Sequence, residues 1–516
     1  MSAAVEVLRD TYVDSVVQLS GTRAMSQVDG VDWAAAAMAT AANLETLRSK
    51  GIDGPPLDGA RANDLFLAVL AGDDEAAGAA IAAGKSALFA TSSPGASAAG
   101  APRAARDLGE ALGRLEDGAG VAIVSVPGAY AAVEAHKALT AGLHVLLFSD
   151  NVPLDEEIEL KDRATDLGLL LMGPGAGTAM LGGTGLGFAN VVTPGTVGVV
   201  AAAGTGAQEA MSLLDQWGAG VSQVIGLGGR DLSEAVAGRM ARAAIAALAG
   251  DPGTDAILLV SKPPDPAVAR TVIAAAGETP LVAALIGLRQ PLADQPPTVT
   301  TTATLEEGVV AALRAVGRDG PDPTAGLFEP VAAACDRLAP ARTLIRGLFS
   351  GGTLCYESLS LLHELVGPVY SNTPIHKRWG LPAPDGAHTC LDLGEEEYTK
   401  GRPHPMIDPE ARIELMRQVG ADPQVAVILL DVVLGYGSHP DPAGLLAPVA
   451  REVMAGGAGP QVVAYVLGTA GDPQGLAGQR QVLREAGCIV PATAARATLA
   501  AAALATRRPD LVHRLP

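Results

Sequence analysis

Cysteine is scarce in this chain of 516 residues: there are four, Cys335, Cys355, Cys390 and Cys488, far apart and without CxxC spacing. That excludes a disulfide framework and a cysteine-built zinc site, and it fits a reducing, cytoplasmic compartment. Aromatics are also few at 3% (3 Trp, 7 Tyr, 6 Phe), so Ala, Val and Leu must fill the cores. Basic residues are outnumbered, 36 Lys and Arg against 56 Asp and Glu, and a net charge of −20 repels phosphodiester backbones and anionic lipid. Long hydrophobic runs are missing as well. Stretches such as DAILLV at 255–260 fall far short of the ~18 apolar residues of a spanning helix, and the acidic opening MSAAVEVLRDTYVDS does not read as a signal peptide. Neither nucleic acid nor a membrane is an expected partner.

Gly (62) and Pro (36) are abundant, a turn-rich load that suits many short α/β units and excludes a coiled coil. The length allows about three domains of ~150 residues. Residues 1–90 read as a small N-terminal domain whose best helix is 35–50, and 91–114 as a linker that opens on Ser, Gly, Ala and Pro. From Val121 the order is VAIVSVPG, a helix, LHVLLF, an acidic-starting helix and LLLM. Strands linked by helices with connectors this short form a parallel sheet, so 115–194 reads as a Rossmann-type domain.

Two later blocks, 195–317 and 340–516, separated by a linker at 318–339, open alike. An apolar strand runs into Gly204-Thr205 with Glu209 in one, and into Gly352-Thr353 with Glu357 in the other, 148 residues apart. Strands at 257–260 and 281–286 repeat as 427–430 and 462–467, which predicts a duplicated flavodoxin-like unit with ligands at the carboxyl ends of its strands. A strand that ends in Gly204-Thr205-Gly206, or in Gly351-Gly352-Thr353, and starts a helix aims unpaired N–H groups and the positive helix end at one point. Two such turns facing each other could clamp one phosphate; the alternative is a tight turn with a Thr cap. Glu209 and Glu357 either position a neighbouring donor or complement the helix dipole.

Other residues belong with these turns. In GRPHPMIDP (401–409), Arg402 offers a planar fork to an anion and His404 can donate or transfer a proton, unless the segment is only a stiff turn. His404, Arg402, Glu209 and Glu357 are the catalytic candidates. Lys262 and Arg230, each at a strand end, are candidate anion ligands, or else a surface lysine and half of a buried Arg230–Asp231 pair. Ser149, Asp150 and Asn151 end one Rossmann strand, where Asp150 or Asn151 either caps the next helix or touches a ligand, and Gly173-Pro174-Gly175 ends another. Nothing in the spacing suggests a metal site.

FSDNV (148–152), GLGGRDLS (226–233) and GRPHPMIDP, with the Gly-Thr turns, closely resemble the FdrA family, which looks like succinyl-CoA synthetase in rearranged form. By that resemblance 115–180 matches the CoA-binding domain of the alpha subunit, 195–315 its ligase domain and 340–510 the carboxy-terminal ligase domain of the beta subunit. The resemblance implies a subunit of an oxamate carbamoyltransferase in purine (allantoin) breakdown, acting with two separately encoded partners in a homo- or hetero-oligomer. Oxalurate and phosphate would give oxamate and carbamoyl phosphate, with no resident cofactor required. Two alternatives stand beside this transferase: an NDP-forming acyl-CoA synthetase subunit that needs an ATP-grasp partner, and a non-catalytic scaffold.

The sequence departs from the synthetase pattern. Leu285-Ile286-Gly287-Leu288 stands where the synthetase has its phosphorylated histidine, and no histidine lies between His144 and His363. No GxxxxGK[ST] is present, so this chain alone is not expected to use ATP. Gly175-Ala176 stands where relatives carry Asp-Cys, and Ala203 where they carry Ser, which removes an acid, a thiol and a hydroxyl. With no Gly-rich fingerprint before Val121, CoA binding is left open.

Overall fold

The computed structural model describes residues 2–11, 13, 15–89, 105–288, 290, 292, 295–399, 403–455 and 459–514. The chain divides into two compact units, Met1–Ala105 with Glu396–Pro403, and Arg106–Glu395 with His404–Pro516.

The first unit runs β1 (Ser2–Leu8), α1 (Ser15–Ser26), β2 (Val31–Met38), α2 (Ala41–Ser49), β3 (Leu65–Ala71) and α3 (Asp74–Leu88). Its antiparallel sheet has the order β1-β3-β2. The central strand LFLAVLA is apolar throughout because both its faces are covered: Leu65, Leu67 and Val69 join one cluster, Phe66 and Ala68 another. The helix expected at 35–50 is cut short. Residues up to Met38 pair with β3, so sheet pairing overrides the helix propensity of the alanines, and the helix starts only after the Thr40 cap. Most of the proposed linker, residues 91–104, lies outside the described residues.

The second unit opens with α4 (Leu108–Leu112), β4 (Val121–Val124), α5 (Gly128–Thr140), β5 (His144–Leu147), α6 (Leu154–Asp166) and β6 (Leu171–Met172), a parallel sheet of order β4-β5-β6. The hairpin β7 (Thr178–Leu181) and β8 (Thr184–Gly187) follows. The first ligase-type half then comprises β9 (Val197–Ala201), α7 (Gly204–Gln216), β10 (Val224–Gly226), α8 (Arg239–Ala249), β11 (Ala256–Ser261), α9 (Pro266–Ile273), β12 (Leu281–Leu285), β13 (Val299–Thr302) and α10 (Leu305–Ala315). Its sheet order is β13-β12-β11-β9-β10-β7-β8. The hairpin therefore completes this sheet, and the boundary expected at 194 falls after the hairpin instead of before it.

The chain continues through α11 (Phe328–Arg337), β14 (Leu344–Phe349), α12 (Gly352–Val366), β15 (Val369–Tyr370) and β16 (His388–Asp392). It passes through α13 (Glu396–Thr399), part of the first unit, and then α14 (Glu410–Gly420), β17 (Val425–Val433), α15 (Pro442–Met454), β18 (Gln461–Leu467), α16 (Leu476–Glu485) and α17 (Ala494–Thr506). The second sheet has the order β15-β16-β14-β17-β18, extended by a parallel bridge from Val463 to Ile489. Apart from β15 and the β7–β8 hairpin, both halves share one doubly wound order, the flavodoxin-like duplication expected. Residues 318–339 are not a plain linker: Val331, Ala334 and Cys335 of α11 are buried in the main core, with the Cys335 thiol donating to the Ala503 carbonyl at 3.5 Å. That core is shared, since α7 and α10 of one half and α12 and α17 of the other contribute to a single cluster.

Candidate functional site

Strands β9 and β14 each end in a turn that starts a helix with no side-chain cap, at Ala203 for α7 and Gly351 for α12. The Thr cap considered for these turns is not used locally. Thr205 instead accepts the Thr353 N–H at 3.3 Å, so the two helix ends meet across the duplication. Glycine is required there by close approach: a Cβ on Gly206 would lie 2.9 Å from Thr353 Cγ2, and one on Gly351 2.8 Å from Thr205 Cγ2.

Both turns line a cavity of ≈ 400 Å³. Gly204, Thr205, Gly352 and Thr353 face it, with Lys262, His404, Asp150 and Gly175, all expected from the sequence. Phe148 and Phe188 form its apolar wall, ring centroids 6.0 Å apart. The structure also brings in Ser350, Asp392 and Glu395, which the sequence reading had not singled out. Asp431 lies just behind: Oδ1 accepts the Ser350 N–H (2.8 Å) and hydroxyl (2.9 Å), Oδ2 accepts the Gly351 N–H (2.7 Å), and the buried Arg412 guanidinium donates to Oδ1 at 2.8 Å. Asp431 thus takes up the two amides before α12 and Thr205 takes that of Thr353, while Gly352, the first residue of the helix, lines the cavity. A carboxylate inside the otherwise apolar run VAVILLDVV was the signal for it, because a buried acid must be paired.

Other expectations need correction. Glu209 and Glu357 do not line the cavity. Each reaches into the opposite half at a helix N-terminus: Glu209 accepts the Ala494 N–H of α17 at 3.4 Å and the Tyr465 hydroxyl at 2.5 Å, and Glu357 accepts the Leu305 N–H of α10 at 2.7 Å. Burial above all pushes their carboxyls up to about 7 and about 8. They hold the halves together, and neither touches the cavity as a catalytic residue must.

Arg230 turns away to Glu157 (2.8 Å) and the Val152 carbonyl (2.8 Å), while its neighbour Asp231 is bound by the buried Lys161 at 2.8 Å. It is neither an anion ligand nor half of an Arg230–Asp231 pair. Ser149 is buried with its hydroxyl on the Val124 carbonyl, Asn151 donates to Asp150, and neither Asp150 nor Asn151 caps α6, whose N-cap is Pro153. Gly173 packs its Cα against the Leu147 carbonyl and the Pro174 carbonyl abuts Gly228, so both are structural. Arg402 lies outside the described residues.

His404 keeps one of its two expected roles. Its Nδ1 accepts the Met406 N–H at 3.3 Å, which places the proton of the neutral ring on Nε2, the atom beside Gly394 and Asp392. Burial, reinforced by Arg412 and opposed by Asp431, pushes the ring down to about 4. His404 is therefore a neutral donor near pH 7 and does not transfer protons there.

The CoA-ligase family model matches residues 348–504, and the model described as "AllF, heavy metal-associated domain" matches 1–104. The uncharacterized protein YahF of Escherichia coli K12 is 39% identical over 97% of this chain and 98% of its own. The chain belongs with it to the FdrA-like acyl-CoA synthetase family. The mitochondrial succinate–CoA ligase (ADP-forming) subunit alpha-2 of Trichomonas vaginalis is 31% identical over 30% of this chain and 50% of its own. The alpha subunit of Methanothermobacter thermautotrophicus is 27% identical over 27% and 47%. This chain thus spans about half the length of these ligase subunits. Among solved structures, the dinucleotide-forming acetyl-coenzyme A synthetase 1 of Ca. Korarchaeum cryptofilum aligns over 78% of this chain and 87% of its own, at 16% identity and a TM-score of 0.27.

The expected carbamoyltransferase is overturned. The family model that matches residues 348–504 is a CoA-ligase and the two relatives of named activity given above are succinate–CoA ligases, so the chain is CoA-ligase-like and acyl-CoA-synthetase-like. The likeness at 1–104 is to a heavy metal-associated domain, but residues 1–105 and 396–403 contain no cysteine and no histidine. Among the described residues its soft donors are the thioethers of Met25 and Met38, both packed in the hydrophobic core, so the residues do not fit a heavy metal. Among the described residues no helix is long and apolar enough to cross a membrane.

Proposed function

We propose that this chain is the CoA-ligase-type subunit of an NDP-forming acyl-CoA-synthetase-like enzyme, with nucleotide activated on a separate ATP-grasp partner. The cavity receives the phosphoryl group of phosphate or an acyl phosphate. The observation that carries the reading is the pair of uncapped helix ends meeting in one cavity. Their remaining N–H groups and dipoles favour an anion, and Lys262 and the His404 Nε2–H add donors from the rim. Phe148 and Phe188 give an acyl group its apolar contact. Because no histidine lies between His144 and His363, and His404 keeps its Nε2 protonated, phosphoryl enters this cavity on a small molecule.

Calorimetry on the chain alone is expected to show one inorganic phosphate bound per chain and displaced by acetyl phosphate; a flat titration would sink the reading. With an ATP-grasp partner, Mg-ATP, CoA and a carboxylic acid, NDP release is expected only when both chains are present. Release of NDP by this chain alone, or none from the reconstituted pair, would count against the division of labour. Lys262 is exposed with its ammonium 5.0 Å from the Tyr356 ring centre, so its loss leaves the fold intact. Lys262→Met is expected to weaken phosphate binding about tenfold, or ~1.4 kcal/mol, in the same titration.

A further inference from the structure

Asp392 is the last residue of β16, 4% exposed and on the cavity wall. Its backbone is pinned by Asn372, whose side chain accepts the Asp392 N–H at 2.9 Å and donates to the Asp392 carbonyl at 2.8 Å. Oδ1 accepts the Gly394 N–H at 3.0 Å. Oδ2 sits against the first residue of α12, 2.4 Å from where a Cβ on Gly352 would be, and among the described residues nothing donates to it. On a residue only 4% exposed, a carboxyl oxygen that no described residue donates to therefore faces the cavity at the helix end where an entering anion would settle.

The groups around it do not neutralise its charge. Glu395 follows in the next loop, and Asp431 on β17 is already engaged by Ser350, Gly351 and Arg412. Cys355 of α12 and Cys390 of β16 are buried thiols pushed well into their neutral form. His404 is a neutral ring, and Lys262 attracts Asp392 from an exposed position.

We propose that Asp392 is the proton-carrying residue of the anion site: an anion binds with Asp392 as a carboxylic acid whose Oδ2–H donates to it, so that binding takes up one proton. This rests on the reading that the cavity is an anion site. An ionised Asp392 would hold a negative charge against the bound anion, offset by Lys262 only from its solvent-exposed position, whereas the acid supplies the missing donor. Burial, with Glu395 adding to it, pushes the carboxyl up to about 7 against the Gly394 N–H and Lys262, so the acid form is within reach at physiological pH.

Sulfate is the probe, because its charge does not change between pH 6 and 9. Titrated calorimetrically into the full chain at pH 8 in buffers of different ionisation enthalpy, it is expected to take up close to one proton, and its affinity to fall about tenfold from pH 8 to 9. In Asp392→Asn, which keeps a donor at that position, proton uptake disappears and affinity no longer changes with pH. Glu209 and Glu357 titrate in this range without lining the cavity, so they are the same in the free and bound chain. Sulfate binding without buffer dependence in the unaltered chain, or a folded Asp392→Asn that keeps the pH slope, would overturn the assignment. The first readout needs no variant. Failure of both sulfate and phosphate to bind at pH 6 would instead remove the anion site, and this inference with it.

Discussion

Asp431→Ala is expected to destabilise the second unit by about 3–5 kcal/mol and to abolish phosphate binding. Arg412 is 1% exposed, and its guanidinium donates to both the carboxylate and the carbonyl of Asp431. Removing the carboxylate strands that cation in the core and frees the Ser350 and Gly351 amides, each a buried donor without an acceptor. The turn at Gly351 then loses what holds it against Thr205, and the α12 end no longer faces the cavity in register with α7. Urea unfolding followed by circular dichroism measures the first effect and phosphate calorimetry the second. Asp431→Asn, which keeps one acceptor but not the charge, is expected to fall between. A loss below about 1 kcal/mol for the alanine variant would show that Arg412 finds another partner.

The second unit is also expected to be more stable at pH 5 than at pH 8. Glu209 and Glu357 have folded carboxyls raised to about 7 and about 8 from an ordinary 4.5. A raised folded value means that between pH 4.5 and those values the folded chain holds a proton that the unfolded chain has released. The resulting stability is fully present below about 4.5 and is lost as pH rises through the folded values. Each carboxyl contributes a slope of about −1.4 kcal/mol per pH unit within its window, and Asp392 adds to it below about 7. Urea midpoints at half-unit steps from pH 5 to 8 measure the fall, and Glu357→Gln, which keeps an acceptor for the Leu305 N–H, is expected to flatten it. A midpoint that rises with pH would contradict the burial of neutral glutamates.

Much of this architecture is written in local pattern. The two Gly-Thr turns, their spacing and the apolar strands before them define a doubly wound duplication, and the structure has both sheets in that order. Lys262 and His404 were legible as strand-end and Pro-flanked polar residues. What pattern could not show is pairing across the halves. Four residues after each Thr, a glutamate looks like part of its own helix end, yet each serves the last helix of the other half, a distance of 285 residues for Glu209 and Ala494. Asp392 was hidden in LDLG (391–394), a strand end with no motif around it, and only the fold sets it against the first residue of α12. Arg230 was misplaced because its partner Glu157 sits on α6, in another domain. The helix expected at 35–50 failed for a physical reason: alanine runs carry helix propensity but no veto on sheet pairing.

The exchange of glutamates between halves has a consequence for how such a protein can be built. Thr304 and Thr493 cap α10 and α17 from within their own halves, but the first amide of each helix is taken by an acid from the other half, so neither half completes its last helix alone. Two separate polypeptides carrying these halves would have to meet before either could finish folding, at a rate set by their abundance. Joined through α11, they meet at the effective concentration of a tether, on the order of millimolar. Fusion thus turns a search between molecules into a step within one, and fixes the stoichiometry of the paired helix ends at one to one.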